Sequence, residues 1–189
     1  MSIKKKEIAQ NKYLIAACGL VLLGAIIGVC VLKFLPAELE HQLSEFVLKD
    51  GSGSVLSAAM NKFALPAFTL ILLYLGGFNA AGHVTAAFAL LGFGTVYGIK
   101  NALNFSCSGS DFIIKSVTDY FTFSLYAAFL IVTMAESCFL SSQSIYNQLH
   151  NTACEKSLYN AKNQTVKLIA FTAVIALFSA FSGYISTII

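Results

Sequence analysis

The sequence contains no arginine and no tryptophan, and only 11% of its 189 residues are charged. A typical soluble domain carries about twice that share of charge. Hydrophobic residues make up 57% of the chain, so a soluble form would expose large apolar patches and aggregate. These proportions exclude a soluble globular enzyme, a disordered chain and a disulfide-stapled secreted domain. They indicate that the lipid bilayer is the natural surrounding of this protein.

The basic residues exclude a further class of partner. All 12 of them are lysine, and the net charge is only +3. Arginine is the residue best suited to bidentate phosphate recognition, and a net charge this small provides no basic stripe along a nucleic-acid backbone. We therefore expect no nucleic-acid partner.

Motifs for metal, cofactor or catalytic chemistry are also missing. The five cysteines show no CxxC spacing, which favours small buried side chains over disulfides or a zinc site. His150 and Cys154 are four residues apart, but two ligands make a poor zinc site. The sequence contains no GxSxG, HExxH, Walker A or Rossmann motif. We expect no metal, no cofactor and no enzymatic activity.

Long uncharged runs predict an all-α, polytopic membrane protein. The run from Tyr13 to Leu32 would extend about 30 Å as a helix, the thickness of a bilayer core. The stretch from Phe63 to Ile99 is too long for one span and divides at the polar, glycine-rich turn 76–83. This division leaves two short helices. A single membrane domain over 1–189 is thus predicted, with a bundle of five transmembrane helices at about 13–34, 63–78, 84–99, 116–140 and 168–189.

A segment between the first two spans predicts an amphipathic helix at the membrane surface, over 36–49. Leu39, Leu43 and Phe46 recur at helical spacing on one face, and acidic residues occupy the rest. Two uses fit this face: packing over the protein's own bundle, or docking a partner. The flexible residues 50–54 follow it.

Lysine distribution predicts the orientation in the cell membrane. Lys4, Lys5, Lys6 and Lys12 precede the first span, and such a cluster normally stays in the cytoplasm. With five spans, the N-terminus is then cytoplasmic and the C-terminus extracytoplasmic. The segment 36–49 and the polar loop 101–111 fall on the extracytoplasmic side.

Two acidic residues fall within or beside the fourth span. Glu136 is able to relay protons, bind a cation or pair with a lysine, but it also lies near enough to the helix end to reach the headgroups. Asp119 lies four residues after Lys115 and is positioned to pair with it on one helix face. His83 and Asn79 belong to the turn between spans two and three, where they cap helices or line a small polar pocket.

Glycines predict close helix packing. Gly24 and Gly28 form a GxxxG motif in the first span, and Gly94 and Gly98 form another in the third, with Gly92 on a neighbouring face. Small residues at this spacing let helix backbones approach closely. The two motifs therefore indicate either a compact bundle or the face of a homo-dimer.

The order of these segments resembles the stage II sporulation protein M family. The most specific likeness is the glycine and aromatic segment Gly92–Ile99, which resembles a signature in that family's third helix. The start of the fourth helix departs from the family, because Thr118 and Asp119 occupy the place of a Pro-His pair and no glutamate follows before Glu136. Any ionisable role that the family assigns to that position is therefore in doubt here.

The resemblance implies a membrane scaffold without enzymatic activity. In spore-forming bacteria, members of that family resemble a scaffold: they hold cell-wall hydrolases, namely an amidase and a lytic transglycosylase, at the membrane during spore engulfment. The docking residues would then be Leu39, Leu43 and Phe46. The alternative is a small transporter or channel subunit that uses Glu136.

Overall fold

The computed structural model describes residues 3–36, 38–42, 54–79, 81–106, 110–150 and 155–188, with side chains over 11–36, 38–42, 54–79, 81–104, 117–146 and 162–185. The predicted all-α membrane fold is confirmed. The long helices of the described residues are α1 (Ile3–Phe34), α2 (Val55–Gly76), α3 (Gly82–Ser106), α4 (Ser110–His150) and α5 (Glu155–Ile188).

Each of these helices contains a segment long and apolar enough to cross a membrane. Inside a bilayer, backbone groups find no water, so a helix that satisfies them internally is the favoured form of such a segment. The five segments fit a multi-pass membrane protein. They are Asn11–Phe34, Val55–Gly76, Gly82–Asn104, Val117–Tyr146 and Lys162–Ile185.

The helices α2 and α3 are longer than the predicted second and third spans. The candidate span in α2 has 22 residues and that in α3 has 23, so each extends over about 33 Å. The predicted bounds stopped at Phe63 and Ile99 because Lys62 and Lys100 lie just beyond them. Lys62 lies within α2 and Lys100 within α3, inside the candidate spans of those helices.

The predicted polar connections are largely helical as well. α3 continues to Ser106, so Asn101 to Ser106 belong to a helix and not to a loop. α4 has 41 residues and continues to His150, ten residues beyond the predicted end of span four. α5 begins at Glu155, before the predicted start of span five at Leu168. Length and hydropathy mark only the part of each helix that suits lipid, and the helices extend past that part.

Part of the predicted surface helix falls within the described residues. Residues 38–42 are helical, and the side chain of Leu39 is 49% exposed. The rest of the segment 36–49 after residue 42, with Leu43 and Phe46, lies outside the described residues.

Helix α4 occupies the centre of the bundle. It contacts each of the other four helices, while the most extensive contacts join α1 to α3 and α2 to α5. The core contains Leu70, Leu73, Leu90, Leu130 and Ile175, all fully buried. Large apolar side chains cover the outer surface of the bundle, where lipid would surround them; they include Leu22, Ile26, Phe68, Phe88, Phe121 and Leu177.

A tight turn joins α2 to α3. The Asn79 carbonyl accepts hydrogen bonds from the Gly82 amide at 3.0 Å and from the Ser141 hydroxyl of α4 at 2.7 Å. A Cβ on Gly82 would collide with the carbonyl oxygen of Gly76, so the two helix ends approach this closely only with glycine at position 82. The turn is thereby held against α4.

Candidate functional site

A cluster of charged side chains lies inside the bundle, near one membrane end. The ammonium nitrogen of Lys62 is 3.1 Å from Oδ1 of Asp119, and that of Lys100 is 3.1 Å from Oδ2 of the same carboxylate. The side chains of Lys62, Lys100 and Asp119 are 7%, 23% and 6% exposed. We call these three residues, together with Ser182, the charge cluster.

Ser182 completes the surroundings of Lys62. The Lys62 ammonium donates to the Ser182 hydroxyl at 2.9 Å and to its backbone carbonyl at 3.3 Å. The four residues of the charge cluster come from α2, α3, α4 and α5 respectively. The charge cluster therefore connects four of the five long helices.

Pairing lowers the free-energy cost of enclosing these charges in a membrane bundle. An unpaired lysine or aspartate at the centre of a membrane helix costs about 2.5–3.5 kcal/mol on insertion scales. Asp119 offers one carboxylate oxygen to each lysine. The two lysines and the aspartate of the charge cluster sum to a formal charge of +1.

Asp119 was predicted to pair with Lys115 of its own helix, and the described structure provides partners from two other helices. The side chain of Lys115 lies outside the described side chains. The sequence offered one signal for the observed partners: Lys62 and Lys100 are the two lysines that flank the long uncharged stretch 63–99. Nothing in their spacing shows that both reach the same carboxylate.

Two buried hydroxyls lie about one helical turn deeper than the charge cluster. Tyr126 and Ser179 form a hydrogen bond between α4 and α5. Ser179 precedes Ser182 by three residues on α5, and Thr122 follows Asp119 by three on α4. Thr122 donates to the carbonyl of Thr118 at 2.8 Å. These side chains extend the polar interior inward from the charge cluster.

Glu136 lies at the opposite end of the bundle and pairs with Lys167 of α5. Their side chains are 20% and 43% exposed, so this pair is much less enclosed than the charge cluster. A half-exposed lysine such as Lys167 extends its ammonium toward the edge of the bundle. Of the roles considered for Glu136, pairing with a lysine is the one this geometry provides.

His83 and Tyr13 take part in a second polar group at that same end. The Ser142 hydroxyl lies 3.1 Å from Nε2 of His83 and 3.1 Å from the Tyr13 hydroxyl, and it also lies 2.9 Å from the carbonyl oxygen of Cys138. This group connects α1, α3 and α4. His83 thus acts as a contact between helices, in addition to its place beside the turn.

The glycine motifs lie at the crossing of α1 and α3. A Cβ on Gly24 would collide with the carbonyl oxygen of Leu91, and one on Gly28 with that of Thr95. Gly94 and Gly98 face the carbonyl oxygens of residues 21 and 25 in the same way. The contacts advance together along both chains, so the helices are parallel. Gly92 lies outside this crossing, since a Cβ there meets no atom within 4 Å.

The C-terminal end of α1 carries an open apolar groove beside the start of the 38–42 helix. Its lining is formed by Ile26, Ile27, Cys30, Val31, Phe34, Leu35 and Pro36. Of the predicted docking residues, Leu39 follows this groove in the chain and presents an exposed apolar side chain.

Metal ligands do not gather in the described part of the chain, where no three His, Cys, Asp or Glu side chains come together. Comparison with protein families, curated proteins and solved structures finds no match to this chain.

Proposed function

We propose that this protein is a multi-pass membrane scaffold that holds a partner protein at one membrane face. The observation that carries this proposal is Leu39. It lies beyond the candidate span Asn11–Phe34, in a helical segment, and its side chain is 49% exposed. Leu39 is an exposed apolar side chain among the polar residues Glu38, Glu40 and Gln42, and we assign it as the apolar anchor for the partner.

The pairing of the described intramembrane charges supports the same proposal. Asp119 is held by two lysines, and Glu136 by one. Charges engaged between helices stabilise one arrangement of the bundle. A rigid bundle suits an anchor, because the docking segment is then presented in a constant position.

The partner class follows from the resemblance to the stage II sporulation protein M family. We propose that the partners are cell-wall hydrolases, an amidase and a lytic transglycosylase, held at the membrane during spore engulfment. A homo-dimer stays a prediction. It would need a surface other than Gly24, Gly28, Gly94 and Gly98, which are packed within the chain.

The orientation belongs to the same proposal, with the N-terminus cytoplasmic and the docking segment extracytoplasmic. Single cysteines placed at residue 2 and at residue 42, in a background without the native cysteines, would be labelled in intact cells with a membrane-impermeant maleimide. Labelling at 42 but not at 2 is the expected result. The reverse pattern would place the docking segment in the cytoplasm, away from the cell wall, and would refute the scaffold for cell-wall enzymes.

The docking proposal is tested by photo-cross-linking from position 39 in native membranes, through a sporulation time course. We expect an adduct that contains an amidase or a lytic transglycosylase. The variant Leu39→Asp, combined with a cross-linker at residue 38, should lose this adduct. The matched control Gln42→Asp adds the same charge in the same segment and should retain it. Adducts with lipid alone, or adducts equally strong in both variants, would contradict the proposal.

A second candidate, a transporter subunit, is favoured by the charge cluster. Ionisable residues within membrane spans often mark substrate or ion pathways. This candidate predicts that Asp119→Asn or Glu136→Gln abolishes a flux in proteoliposomes while the protein still inserts. The scaffold predicts instead that partner recovery depends on Leu39 and is unaffected by Glu136→Gln.

A further inference from the structure

The end of the bundle that contains the α2–α3 turn is basic. Residues 1–12 include the start of α1, and residues 142–164 include the end of α4 and the start of α5. Together these two segments contain six lysines, two glutamates and no aspartate, which gives a formal charge of +4. The count includes every acidic residue of both segments, so it holds whichever of them form ion pairs.

Two of these lysines have described side chains, and both are exposed: Lys12 of α1 and Lys162 of α5. Neither is paired with a carboxylate among the described side chains. The central helix α4 contacts both α1 and α5, but it has no acidic residue from Ser137 to His150. Helix α4 therefore supplies no counter-ion at this end, in contrast to Asp119 at the other end.

A contact between α1 and α3 fixes the level of Lys12. Tyr13 follows Lys12 directly, and its hydroxyl lies 3.4 Å from Nε2 of His83. His83 is the second residue of α3 and comes just after the turn from α2. Lys12 is therefore about level with the start of α3.

A contact between α2 and α5 fixes the level of Lys162. Thr165 follows Lys162 by three residues, and its hydroxyl lies 2.8 Å from that of Tyr74. Tyr74 is two residues before the end of α2. Near the start of α2, Lys62 contacts Ser182, so α2 and α5 are antiparallel. Lys162 is therefore about level with the end of α2.

The turn between α2 and α3 marks the edge of the hydrocarbon. Backbone outside regular helices finds no partners in lipid, so a lipid-exposed turn lies at or beyond the hydrocarbon boundary. Phe78 and Asn79 of this turn are exposed. A lysine at the level of the turn reaches the headgroups, which extend about 5–7 Å beyond the hydrocarbon on each side.

The separation of the two lysines favours lipid over a protein as their partner. α1 packs mainly on α3, and α5 packs mainly on α2, so Lys12 and Lys162 occupy different parts of the circumference of the bundle. A headgroup layer surrounds the bundle and meets both lysines. Anionic headgroups attract lysines at this level.

We propose that Lys12 and Lys162 bind the headgroups of anionic phospholipids and enrich such lipids around this end of the bundle. The lysines at the start of α1 contribute less. Because α1 is helical from Ile3, Lys5 lies seven residues, or about 10 Å, beyond Lys12. That distance exceeds the Debye length of about 8 Å at physiological salt. This surface is independent of the proposed docking at Leu39 and of the orientation of the chain.

The test measures the lipid selectivity of the purified full chain in phosphatidylcholine proteoliposomes. Electron paramagnetic resonance with spin-labelled phosphatidylglycerol and spin-labelled phosphatidylcholine gives the ratio of their association constants with the protein. We expect a ratio of about five for the unchanged protein and below about two for Lys12→Gln/Lys162→Gln. Raising NaCl to about 0.5 M should lower the first ratio, because salt screens exposed charges.

Lys33→Gln is the matched control. Lys33 is an exposed lysine on the same helix as Lys12, in the last turn at the other end. Glu38 and Glu40 follow it within seven residues and repel anionic headgroups, so its replacement should leave the ratio unchanged.

A second variant separates the two lysines at the turn from a basic tail. Lys4→Gln/Lys5→Gln/Lys6→Gln removes three charges, one more than Lys12→Gln/Lys162→Gln. It should nevertheless lower the ratio less, because these three positions lie farther from the headgroups.

Each outcome bears on the proposal. A loss of selectivity that is largest in Lys12→Gln/Lys162→Gln supports it. No preference for phosphatidylglycerol in the unchanged protein would overturn it, as would an equal loss in Lys33→Gln or a larger loss in the triple variant. Thermal unfolding shows whether each variant folds. If the double variant does not, an unchanged ratio in a folded Lys12→Gln variant would overturn the proposal.

Discussion

The ammonium of Lys62 lies 3.1 Å from Oδ1 of Asp119, although the two residues are 57 positions apart in the sequence and belong to different helices. Each side chain is less than 8% exposed. In a chain that spans a membrane, this contact joins two enclosed charges whose insertion is unfavourable when they are unpaired. It makes the assembly of α2 against α4 a condition for either residue to occupy its position.

Removal of the shared carboxylate should destabilise the bundle strongly. Asp119→Asn would leave Lys62 buried without its counter-ion, and such a loss costs about 3–5 kcal/mol in buried pairs. We expect a large decrease in the free energy of unfolding, measured by denaturant titration in mixed micelles. Glu136→Gln should cost clearly less because its partner Lys167 is 43% exposed and remains hydrated. Equal losses in both variants would contradict the assignment of Asp119 as the enclosed centre.

Replacing both partners should restore much of that stability. In Lys62→Met/Asp119→Leu the buried pair becomes two apolar side chains of similar size, a change that is often neutral or stabilising. Lys100 would then lose its partner, but its 23% exposure allows its ammonium to reach the membrane surface. The double variant should therefore unfold at a higher denaturant concentration than Asp119→Asn alone. A double variant as unstable as Asp119→Asn would show that Lys100 depends on the pair as much as Lys62 does.

The crossing of α1 and α3 should tolerate no side chain at Gly28. Gly28→Val places a Cβ against the carbonyl oxygen of Thr95, and overpacking of this kind typically costs about 1–3 kcal/mol. We expect a lower melting temperature in detergent. Gly92→Val is the control, because a Cβ at residue 92 meets no atom within 4 Å. A similar decrease for both variants would point to helix propensity as the cause, and the contact with α3 would then be unimportant.

The hydrogen bond between Tyr126 and Ser179 should appear as a coupling energy. Both residues are buried, and each single variant, Tyr126→Phe or Ser179→Ala, leaves the other hydroxyl without this partner. We expect each to cost about 0.5–1.5 kcal/mol, and the double variant to cost less than the sum of the two. Strict additivity in this double-mutant cycle would mean that the two hydroxyls do not stabilise the fold through each other.

The segment Gly92–Ile99, which resembles a family signature, packs against two other helices. Gly94 and Gly98 of this segment provide the close approach to α1, and Tyr97 stacks on Phe123 of α4. Gly92 has no such contact. Packing against α1 and α4 thus accounts for Gly94, Gly98 and Tyr97, but not for Gly92.

Much of this architecture follows from composition and periodicity alone. Runs of uncharged residues about 20 long have one stable form in a bilayer, since only a helix satisfies every backbone group within the segment. The uncharged runs 13–32, 63–99, 120–135 and 168–189, the polar turn that divides the second of them, and two GxxxG motifs are local features that can be read from the sequence. The all-α class and the approximate position of each span depend on nothing else.

The lengths of the helices and the charged interior were decided only by the tertiary structure. In the sequence, Lys62 and Lys100 predict the start of the second span and the end of the third, because an isolated ammonium is unfavourable in hydrocarbon and moves toward water. In the folded chain both lysines lie within helices and pair with Asp119 of α4. Whether a lysine ends a membrane helix or becomes part of the bundle depends on a carboxylate supplied by a different helix. That pairing is a property of the assembled bundle and of no single segment.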